Sequence, residues 1–429
     1  MGRDIRRVVI LGANGAMGAG AGEVFAAAGI DTVFLARTRE KAASGLERAE
    51  KLAKSEAIGR YITVGSYDDL PRVVPDADLI FEAVSEDLAL KRVYFEKVDA
   101  LRRPDAIVAT VSSGLSIAAM AEGRSASFGR HLLGIHFFNP PNVIVGCELI
   151  PHAGTDPQVT TAVASLLRGR LGRELVRTSD TPAFCGNRVG FKVLNECAQL
   201  AETHGVEYID ALIGPHTGRA MSPLATIDFV GWDVHRAIVE NVHANTNDEA
   251  HGAFGMPRYL GELITRGTLG DKTPELGGFF RRGAKGTPVL VLDPASGAYR
   301  PATGEVPEIA RRMKALHHVG RYRQAFELFA DAKGADAELM RNVVLGYVSY
   351  ALCRVGAVVD SVTDVDRIMG YGFNWAPPSA LCDTIGARRT VLLLEAAKLP
   401  VPRVLTDAAE RNQPLFDPAL GDIGRFFHA

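Results

Sequence analysis

The sequence predicts an α/β doubly wound sheet followed by two all-α C-terminal domains arranged as a tandem repeat. Between residues 8 and 150, short apolar segments rich in β-branched residues alternate with segments of helical spacing. This alternation is typical of a parallel sheet with helices on both faces. In the C-terminal half, the pattern of residues 223–231 recurs at 378–386, a shift of 155 positions (378 − 223). The domains that we expect are 1–180, 181–305 and 306–429.

Apolar segments give the strands of the first domain, and the stretches between them give its helices. The strands that we expect are 8–11, 32–35, 78–84, 106–111, 132–138 and 148–150. In the first domain, the helices that we expect are a small-residue stretch ending near Gly29, then 39–58 and 88–101. In the two repeat copies we expect a helix over 187–204 and a similar helix beginning at Asn342. Residues 277–307, rich in glycine and turn residues, are interpreted as a connector between the copies.

Composition excludes several classes of protein. The 429 residues are 47% hydrophobic and 23% charged, with a net charge of −2, which is ordinary for a globular chain. The near balance of charge argues against nucleic-acid or membrane-surface binding through bulk charge, and no apolar run reaches the ~18 residues of a transmembrane helix. Five cysteines without a C-x-x-C pair favour reduced thiols, a cytoplasmic location and no metal site.

Three glycines lie between the first strand and the first helix, in the spacing G-x-x-G-x-x-G. Backbone N–H groups at the start of a helix can hold a pyrophosphate, and glycines let the backbone approach it closely. Asn14 stands where the G-x-G-x-x-G pattern of dinucleotide-binding proteins has a glycine, and the alternative is a small-residue packing helix. We predict a Rossmann-type dinucleotide site. Its residues are Gly12, Asn14, Gly15, Ala16, Met17 and Gly18.

The second strand ends in Leu-Ala-Arg-Thr-Arg at 35–39, without an acidic residue. An acid that accepts the adenosine ribose hydroxyls usually follows the glycines by about 20 residues. Arg37 could instead bind a 2′-phosphate, which favours NADP. Alternatively Arg37 stacks on adenine or faces solvent, and NAD binds. We therefore expect NAD as the cofactor and leave NADP open.

Four motifs follow one another in the chain. They are EAVSED at 82–87, SSGLSI at 112–117, HFFNPP at 136–141 with Glu148 twelve positions after its histidine, and DTPAFCGNR at 180–188. Together they resemble the 3-hydroxyacyl-CoA dehydrogenase family, and the resemblance covers nearly the whole chain. It implies an NAD(P)-dependent dehydrogenase that interconverts 3-hydroxyacyl-CoA and 3-oxoacyl-CoA, as in fatty-acid β-oxidation. It also implies an acyl-CoA substrate as the binding partner.

The same residues have a direct chemical interpretation. Oxidation of a secondary alcohol needs a base, and the imidazole of His136 can take and return a proton near neutral pH. Glu148 can fix its tautomer and stabilise the imidazolium. Ser113 and Asn187 can donate hydrogen bonds to the substrate oxygen. The alternatives are a packed core histidine, a glutamate in a surface salt bridge, Ser113 as the N-cap of the helix near Ser116, and Asn187 as an ordinary first-turn residue of a helix.

The resemblance implies further roles. It puts Lys91 and Asn139 beside the nicotinamide ribose and gives Glu86 the task of orienting the cofactor. Its single-copy members dimerise through the helical domain, so we expect the second copy, with Asn342, to be structural and to form an internal pseudo-dimer within a monomer or homodimer. Longer relatives carry an enoyl-CoA hydratase unit, for which we expect no room here.

Two other functions remain open. One is a dehydrogenase of a free 3-hydroxy acid or another non-CoA alcohol. The other is a dinucleotide-binding protein without redox turnover. The complete set of Ser113, His136, Glu148 and Asn187 argues against the second.

Overall fold

The computed structural model describes residues 4–283 and 286–421, which form two compact units. The first unit runs to Phe184 and includes Val358–Asp360, and the second begins at Cys185. The two predicted helical regions lie in the second unit except for residues 181–184 and 358–360. A division at 305 stays a prediction. Residues 1–3 and 422–429 of the predicted domains, and residues 284–285 of the predicted connector, lie outside the described residues.

The first unit is built on an eight-stranded sheet in the order β3-β2-β1-β4-β5-β6-β7-β8. Its strands are β1 (Arg7–Leu11), β2 (Asp31–Ala36), β3 (Ile62–Ser66), β4 (Leu79–Glu82), β5 (Ile107–Thr110), β6 (Leu132–Phe137), β7 (Gly146–Pro151) and β8 (Glu174–Arg177). Neighbouring strands are parallel except β6 and β7, which are antiparallel. The predicted doubly wound sheet is confirmed.

Helices cover both faces of this sheet. They are α1 (Ala16–Ala27), α2 (Arg39–Ala53), α3 (Leu70–Val73), α4 (Leu88–Leu101), α5 (Ile117–Ala121), α6 (Ala126–His131) and α7 (Pro157–Ser165). Alternate strand residues enter opposite core layers: Val8 and Ile10 belong to one cluster, Val9 and Leu11 to the other. A strand that is buried on both faces needs a continuous apolar run, and this is the pattern from which β1 was predicted.

The second unit is mostly helical. Its helices are α8 (Gly186–His204), α9 (Val206–Leu212), α10 (Pro223–Val230), α11 (Trp232–Asn245), α12 (Arg258–Thr265), α13 (Glu308–His318), α14 (Tyr322–Asp331), α15 (Ala335–Leu352), α16 (Val362–Arg367), α17 (Pro378–Ile385), α18 (Ala387–Ala396) and α19 (Arg403–Arg411). The prediction that a helix begins at Asn342 is wrong, because Asn342 lies inside α15, whose acidic residues Asp336 and Glu338 occupy its first turn.

The second unit is helical, as predicted, except for a small sheet within 277–307, the segment interpreted as a connector. A three-stranded antiparallel sheet forms there, in the order β11-β10-β9. Its strands are β9 (Phe280–Arg282), β10 (Pro288–Leu292) and β11 (Tyr299–Pro301). The apolar run of β10 drives this pairing, since Val291 and Leu292 are buried.

The two copies share local geometry. Gly231 follows α10 and Gly386 follows α17, and their φ angles are 98° and 99°. Inside these helices, Asp228 accepts hydrogen bonds from two successive backbone N–H groups, at 279 and 280. Asp383 does the same with those at 415 and 416. The two copies of the sequence repeat thus share one interaction, in which an aspartate inside a helix binds the backbone of a distant segment.

Candidate active site

Four parallel strands end at one edge of the large sheet. β1 leads there into the glycine turn at Gly12, β4 into the segment from Ala83, and β5 into the segment from Val111, while His136 lies one residue before the end of β6. Backbone bonds join these segments, since Ala83 N donates to Leu11 O and Val111 N donates to Glu82 O. The carboxyl edge of a parallel sheet is where such folds bind ligands.

The glycine turn is closed tightly on its neighbours. Gly12 has φ of 81°, and a Cβ atom there would lie 2.3 Å from Ala83 O. A Cβ atom on Gly18 would lie 2.3 Å from Gly12 O, so both positions require glycine. Gly15 precedes α1 without a side-chain cap, so the first-turn N–H groups of α1 are left to a ligand or solvent. This turn fits the pyrophosphate of a dinucleotide.

The remaining residues predicted to bind the cofactor, three in the glycine turn and Arg37 after β2, are exposed to solvent wholly or in part. Asn14 and Ala16 are exposed, and Met17 is partly buried. Arg37 is exposed and directly follows β2. Contacts of these side chains with a cofactor stay predictions.

His136 and Glu148 face each other across β6 and β7. They are register partners in the antiparallel pair, and Nδ1 of His136 lies 2.7 Å from Oε2 of Glu148. Both side chains are buried, and the imidazole packs against Phe138 and Phe184, with ring centroids 4.8 and 5.7 Å away. The alternative of a glutamate in a surface salt bridge is therefore wrong, because Glu148 is buried. The catalytic role of His136 stays a prediction, and the carboxylate beside its imidazole is the arrangement that acid–base chemistry needs.

A neighbouring thiol cannot compete as a nucleophile. Cys147 precedes Glu148 in β7 and is fully buried. Burial, and then the nearby Glu148 carboxylate, raise the pKa of the Cys147 thiol. The thiol therefore stays protonated at neutral pH.

Glu86 joins the segments that follow β4 and β5. Its carboxylate accepts hydrogen bonds from the hydroxyl of Ser112 at 2.5 Å and from the backbone N–H of Ser113 at 2.8 Å. Lys91 lies 3.4 Å from the same carboxylate, but it is wholly buried and mainly engaged by Glu82. Lys91 thus supports Glu86 from inside the protein, and its contact with a cofactor stays a prediction.

Asp180 anchors the segment that contains Ser113. It accepts hydrogen bonds from the backbone N–H groups of Ile117 at 2.9 Å and Ala118 at 2.8 Å, at the start of α5. The side chain of Ser116, and not that of Ser113, caps α5 by accepting from Ala119 N. The N-cap interpretation of Ser113 is therefore wrong, and its catalytic role stays a prediction.

Two predicted residues lie elsewhere along the chain. Asn139 is exposed, two residues beyond β6. Asn187 is the second residue of α8, buried in the second unit. Sequence reasoning did not single out Glu82, Ser112 or Asp180 as supporting residues, although all three lie within the motifs. A charged residue that ends an otherwise apolar strand, as Glu82 ends β4, was the available signal.

A dinucleotide-type glycine turn and a buried imidazole–carboxylate pair on the same sheet edge define a nicotinamide-dependent oxidoreductase. The family model described as "3-hydroxyacyl-CoA dehydrogenase, NAD binding domain" matches residues 7–181, and "3-hydroxyacyl-CoA dehydrogenase, C-terminal domain" matches 184–279. A probable 3-hydroxyacyl-CoA dehydrogenase of Deinococcus radiodurans is 32% identical over 65% of this chain and 83% of its own length. The chain belongs to the 3-hydroxyacyl-CoA dehydrogenase family and carries its NAD-binding domain.

Two further similarities cover almost the entire chain. A probable 3-hydroxyacyl-CoA dehydrogenase of Bacillus subtilis is 28% identical over 97% of this chain, and the alignment spans 55% of that relative's length. The crystal structure of 3-hydroxybutyryl-CoA dehydrogenase from Escherichia coli K12 has a TM-score of 0.71 and 22% identity, covering 95% of this chain and 99% of that one. This second likeness shows the shared fold.

Two other kinds of feature are absent from the part of the chain that the structure describes. None of the helices within 4–283 and 286–421 has the length and apolar character that a membrane crossing requires. Across the same described residues, no group of three or more His, Cys, Asp or Glu side chains is arranged to hold a metal ion.

Proposed function

We propose that the protein interconverts 3-hydroxyacyl-CoA and 3-oxoacyl-CoA with a nicotinamide cofactor. The observation that carries this proposal is the buried pair of His136 and Glu148 at the carboxyl edge of the sheet, 2.7 Å apart. Family membership supports the substrate class, since the relatives are named 3-hydroxyacyl-CoA and 3-hydroxybutyryl-CoA dehydrogenases.

We infer that one nitrogen of His136 carries the transferred proton. Because Nδ1 faces Glu148, Nε2 is the atom that takes the proton from the substrate hydroxyl. Glu148 holds the ring in the required tautomer and stabilises the imidazolium that forms. When bound on the glycine turn, NAD supplies the hydride acceptor. In the reverse direction, the imidazolium returns its proton to the oxygen of the 3-oxo group.

Hydrogen-bond donors complete the proposed site. Ser113 donates to the substrate oxygen, and the backbone N–H that it gives to Glu86 supports this role by fixing its main chain. Asn187 is proposed as a second donor through its side-chain amide. Asn139 and the Gly12–Gly18 turn are proposed to hold the cofactor. The acyl chain length is left to experiment.

The test compares three variants with wild-type protein. The substrates are acetoacetyl-CoA and free 3-hydroxybutyrate, each with NAD(H) and with NADP(H). We expect His136→Gln to lower kcat by about 10²–10⁴-fold and Glu148→Gln to lower it by at least about 10²-fold, with NADH binding preserved. His131→Gln is the matched control, because His131 is the last residue of α6, directly before the same strand, with Nδ1 2.9 Å from Ser127 O.

Three outcomes would refute parts of the proposal. Retained turnover in His136→Gln would remove the base assignment. Turnover of free 3-hydroxybutyrate but not of the CoA ester would favour the non-CoA alternative. NADH binding without turnover of either substrate would favour a binding protein.

We further propose that the two helical copies form an internal pseudo-dimer. Two contacts support it: an antiparallel bridge pairs Arg219 with Trp375, and a Cβ atom on Gly346 would lie 3.0 Å from Lys192 Nζ, so α15 and α8 pack closely. We expect light scattering to report a monomer or a homodimer, and small-angle scattering that finds the second copy detached would contradict the pseudo-dimer. A cytoplasmic location is also proposed, supported by five free thiols.

A further inference from the structure

The first turn of α8 depends on contacts with other segments of the second unit for its position. Cys185, directly before the helix, provides no side-chain cap, and the first turn contains no acidic residue. Both are local interactions that usually fix the start of a helix. Asn187, the proposed donor to the substrate oxygen, lies in this turn, and Arg188 follows it. Because the two residues are consecutive in one helical turn, a contact that holds Arg188 also sets the direction of Asn187.

Arg188 binds the side chains of Asp248 and Tyr350. Its Nη2 donates to Asp248 Oδ2 at 2.7 Å, and its Nε donates to the Tyr350 hydroxyl at 3.0 Å. This hydroxyl in turn donates to the same Asp248 oxygen at 2.8 Å. Arg188 and Tyr350 are both buried. The three side chains thus form a closed ring of hydrogen bonds, which holds the guanidinium through two of its nitrogens.

Arg354 completes this network from the second predicted copy. Its Nη1 donates to Asp248 Oδ2 at 3.0 Å, and its Nη2 pairs with Glu249. Its guanidinium carbon lies 4.3 Å from the centre of the Tyr350 ring. The two arginines of the network are balanced by two carboxylates, as buried ions require. Tyr350 lies in α15 and Arg354 lies two residues beyond its end, so both come from the second copy, whereas α8 belongs to the first.

We propose that Tyr350 and Arg354 are positioning residues for Asn187. Together with Asp248 they hold Arg188, and thereby keep the amide of the preceding asparagine directed at the substrate oxygen. Successive residues of a helix are rotated by about 100°, so a loosened first turn would change this direction. The second copy then contributes to turnover as well as to packing. This inference rests on the proposed function, in which Asn187 is a hydrogen-bond donor.

Two conservative variants test this role. Tyr350→Phe removes one hydroxyl, and Asp248→Asn removes one charge with little change of size. We expect each variant to lower kcat with acetoacetyl-CoA by about 10–100-fold, because a misdirected donor no longer stabilises the transition state. KM for NADH should stay within about twofold of wild type, because the network holds a donor to the substrate and not the cofactor.

The decisive comparison is with Asn187→Ala. Once the amide is removed, nothing remains for the network to position, so adding Tyr350→Phe to Asn187→Ala should lower kcat by less than about twofold more. If the two losses multiply instead, Tyr350 does not act through Asn187 and the inference is refuted.

Amide hydrogen exchange gives a second readout that does not depend on turnover. The side-chain amide of Asn195 donates to the carbonyl oxygens of Ala253 and Gly255, at 2.8 and 2.9 Å, and so holds the middle of α8 independently of the network. We therefore expect Tyr350→Phe to speed exchange by about tenfold in the first two turns of α8 and to leave its later turns unchanged. Unchanged exchange along the whole helix would contradict the inference.

Tyr208→Phe is the matched control. The Tyr208 hydroxyl donates to Asp336 at 2.6 Å and so also joins the first copy to α15. Asp336 lies 14 residues (350 − 336), or about 21 Å, from Tyr350 along this helix. We expect this control to keep the kcat of wild type and its exchange in α8.

The outcomes separate this inference from the proposed function. Wild-type kcat in Tyr350→Phe and Asp248→Asn, together with a reduced kcat in Asn187→Ala, would refute the positioning role alone. Full kcat in Asn187→Ala would refute the donor role in the proposed function, and the positioning role with it.

Discussion

Lys91 and Glu82 form an ion pair in which neither side chain is exposed to solvent. Nζ of Lys91 lies 2.8 and 2.9 Å from the two carboxylate oxygens of Glu82. The hydroxyl of Thr110 and the backbone N–H of Val84 donate to the same carboxylate, at 2.6 and 2.7 Å. A buried charge is tolerated only with such partners. Through them, Glu82 joins α4 to the ends of β4 and β5.

We expect Lys91→Met to destabilise the first unit by about 3–5 kcal/mol, because it leaves the Glu82 carboxylate buried without its cation. Both tryptophans, Trp232 and Trp375, lie in the second unit, so fluorescence does not report this loss. Amide hydrogen exchange of β4 and β5 peptides is the measurement.

The double variant Lys91→Met with Glu82→Gln is the control. It removes both charges and should recover much of the lost protection, since no ion is left buried. Exchange in Lys91→Met that matches wild type would show that the pair does not stabilise these strands.

Gly45→Ala should weaken cofactor binding. A helix interior normally gains about 1 kcal/mol from glycine to alanine, but the new Cβ atom would lie 2.4 Å from Ala13 O and 2.9 Å from Ala13 C. The clash is with backbone and cannot be relieved by a rotamer change, so we expect a net loss of about 1–3 kcal/mol. NADH affinity should fall by about tenfold, because α2 is displaced from the glycine turn.

Gly129→Ala provides the comparison for this effect. Gly129 lies inside α6, and a Cβ atom there meets nothing within 4 Å. We expect unchanged NADH binding and equal or higher stability in chemical unfolding. If Gly45→Ala and Gly129→Ala had the same effect on NADH affinity and on stability, the close approach of α2 to the glycine turn would not contribute to cofactor binding.

A third prediction concerns acid stability. His235 is fully buried, its Nε2 lies 3.0 Å from Asn195 Oδ1, and burial lowers its pKa from 6.5 to about 3. Below pH 6.5 the unfolded chain takes up a proton that the folded chain does not. The contribution of His235 to the free energy of unfolding is therefore fully present above pH 6.5. It falls by about 1.4 kcal/mol per pH unit as the pH drops toward the pKa of His235 in the folded protein.

The measurement is the difference between wild type and His235→Gln. Buried Asp228 and Asp366, whose pKa values burial raises to about 7, act in the opposite direction over the same range, so the wild-type curve alone is not diagnostic. Urea unfolding followed by the fluorescence of Trp232 and Trp375, which share the unit of His235, should show the variant's slope against pH lower by about 1.4 kcal/mol per unit between pH 6.5 and 5. Equal slopes would mean that the folded protein protonates His235 normally.

The parts of the fold that the sequence predicted are those in which local pattern and tertiary burial agree. β1 and β5 are continuous apolar runs, buried on both faces, and were found with nearly correct bounds. β3 was missed because its sequence, ITVGS, contains a glycine and its side chains are only partly buried. β10 was missed because its apolar run lies among turn residues and pairs with strands that are only three residues long.

In the candidate site, too, the residues that could be predicted are those that local structure brings together. His136 and Glu148 could be predicted because one short hairpin brings them together. The burial of Lys91 could not, since it depends on Glu82 from a strand and Glu86 from a loop meeting one helix residue. Asp180 reaches α5 across 63 positions of sequence, a contact that periodicity cannot indicate.

The contact between base and carboxylate depends on the strand pairing, whereas the twelve-residue interval between them also depends on the length of the loop that joins the two strands. A one-residue slip of β7 would turn Glu148 away from the imidazole altogether, whereas residues inserted beside Val143, which is 61% exposed, would leave the ladder intact. A reporter peptide could therefore be inserted in the loop of this hairpin, close to the reaction. A sequence motif that requires a fixed interval between the histidine and the glutamate would miss natural proteins that have an insertion there.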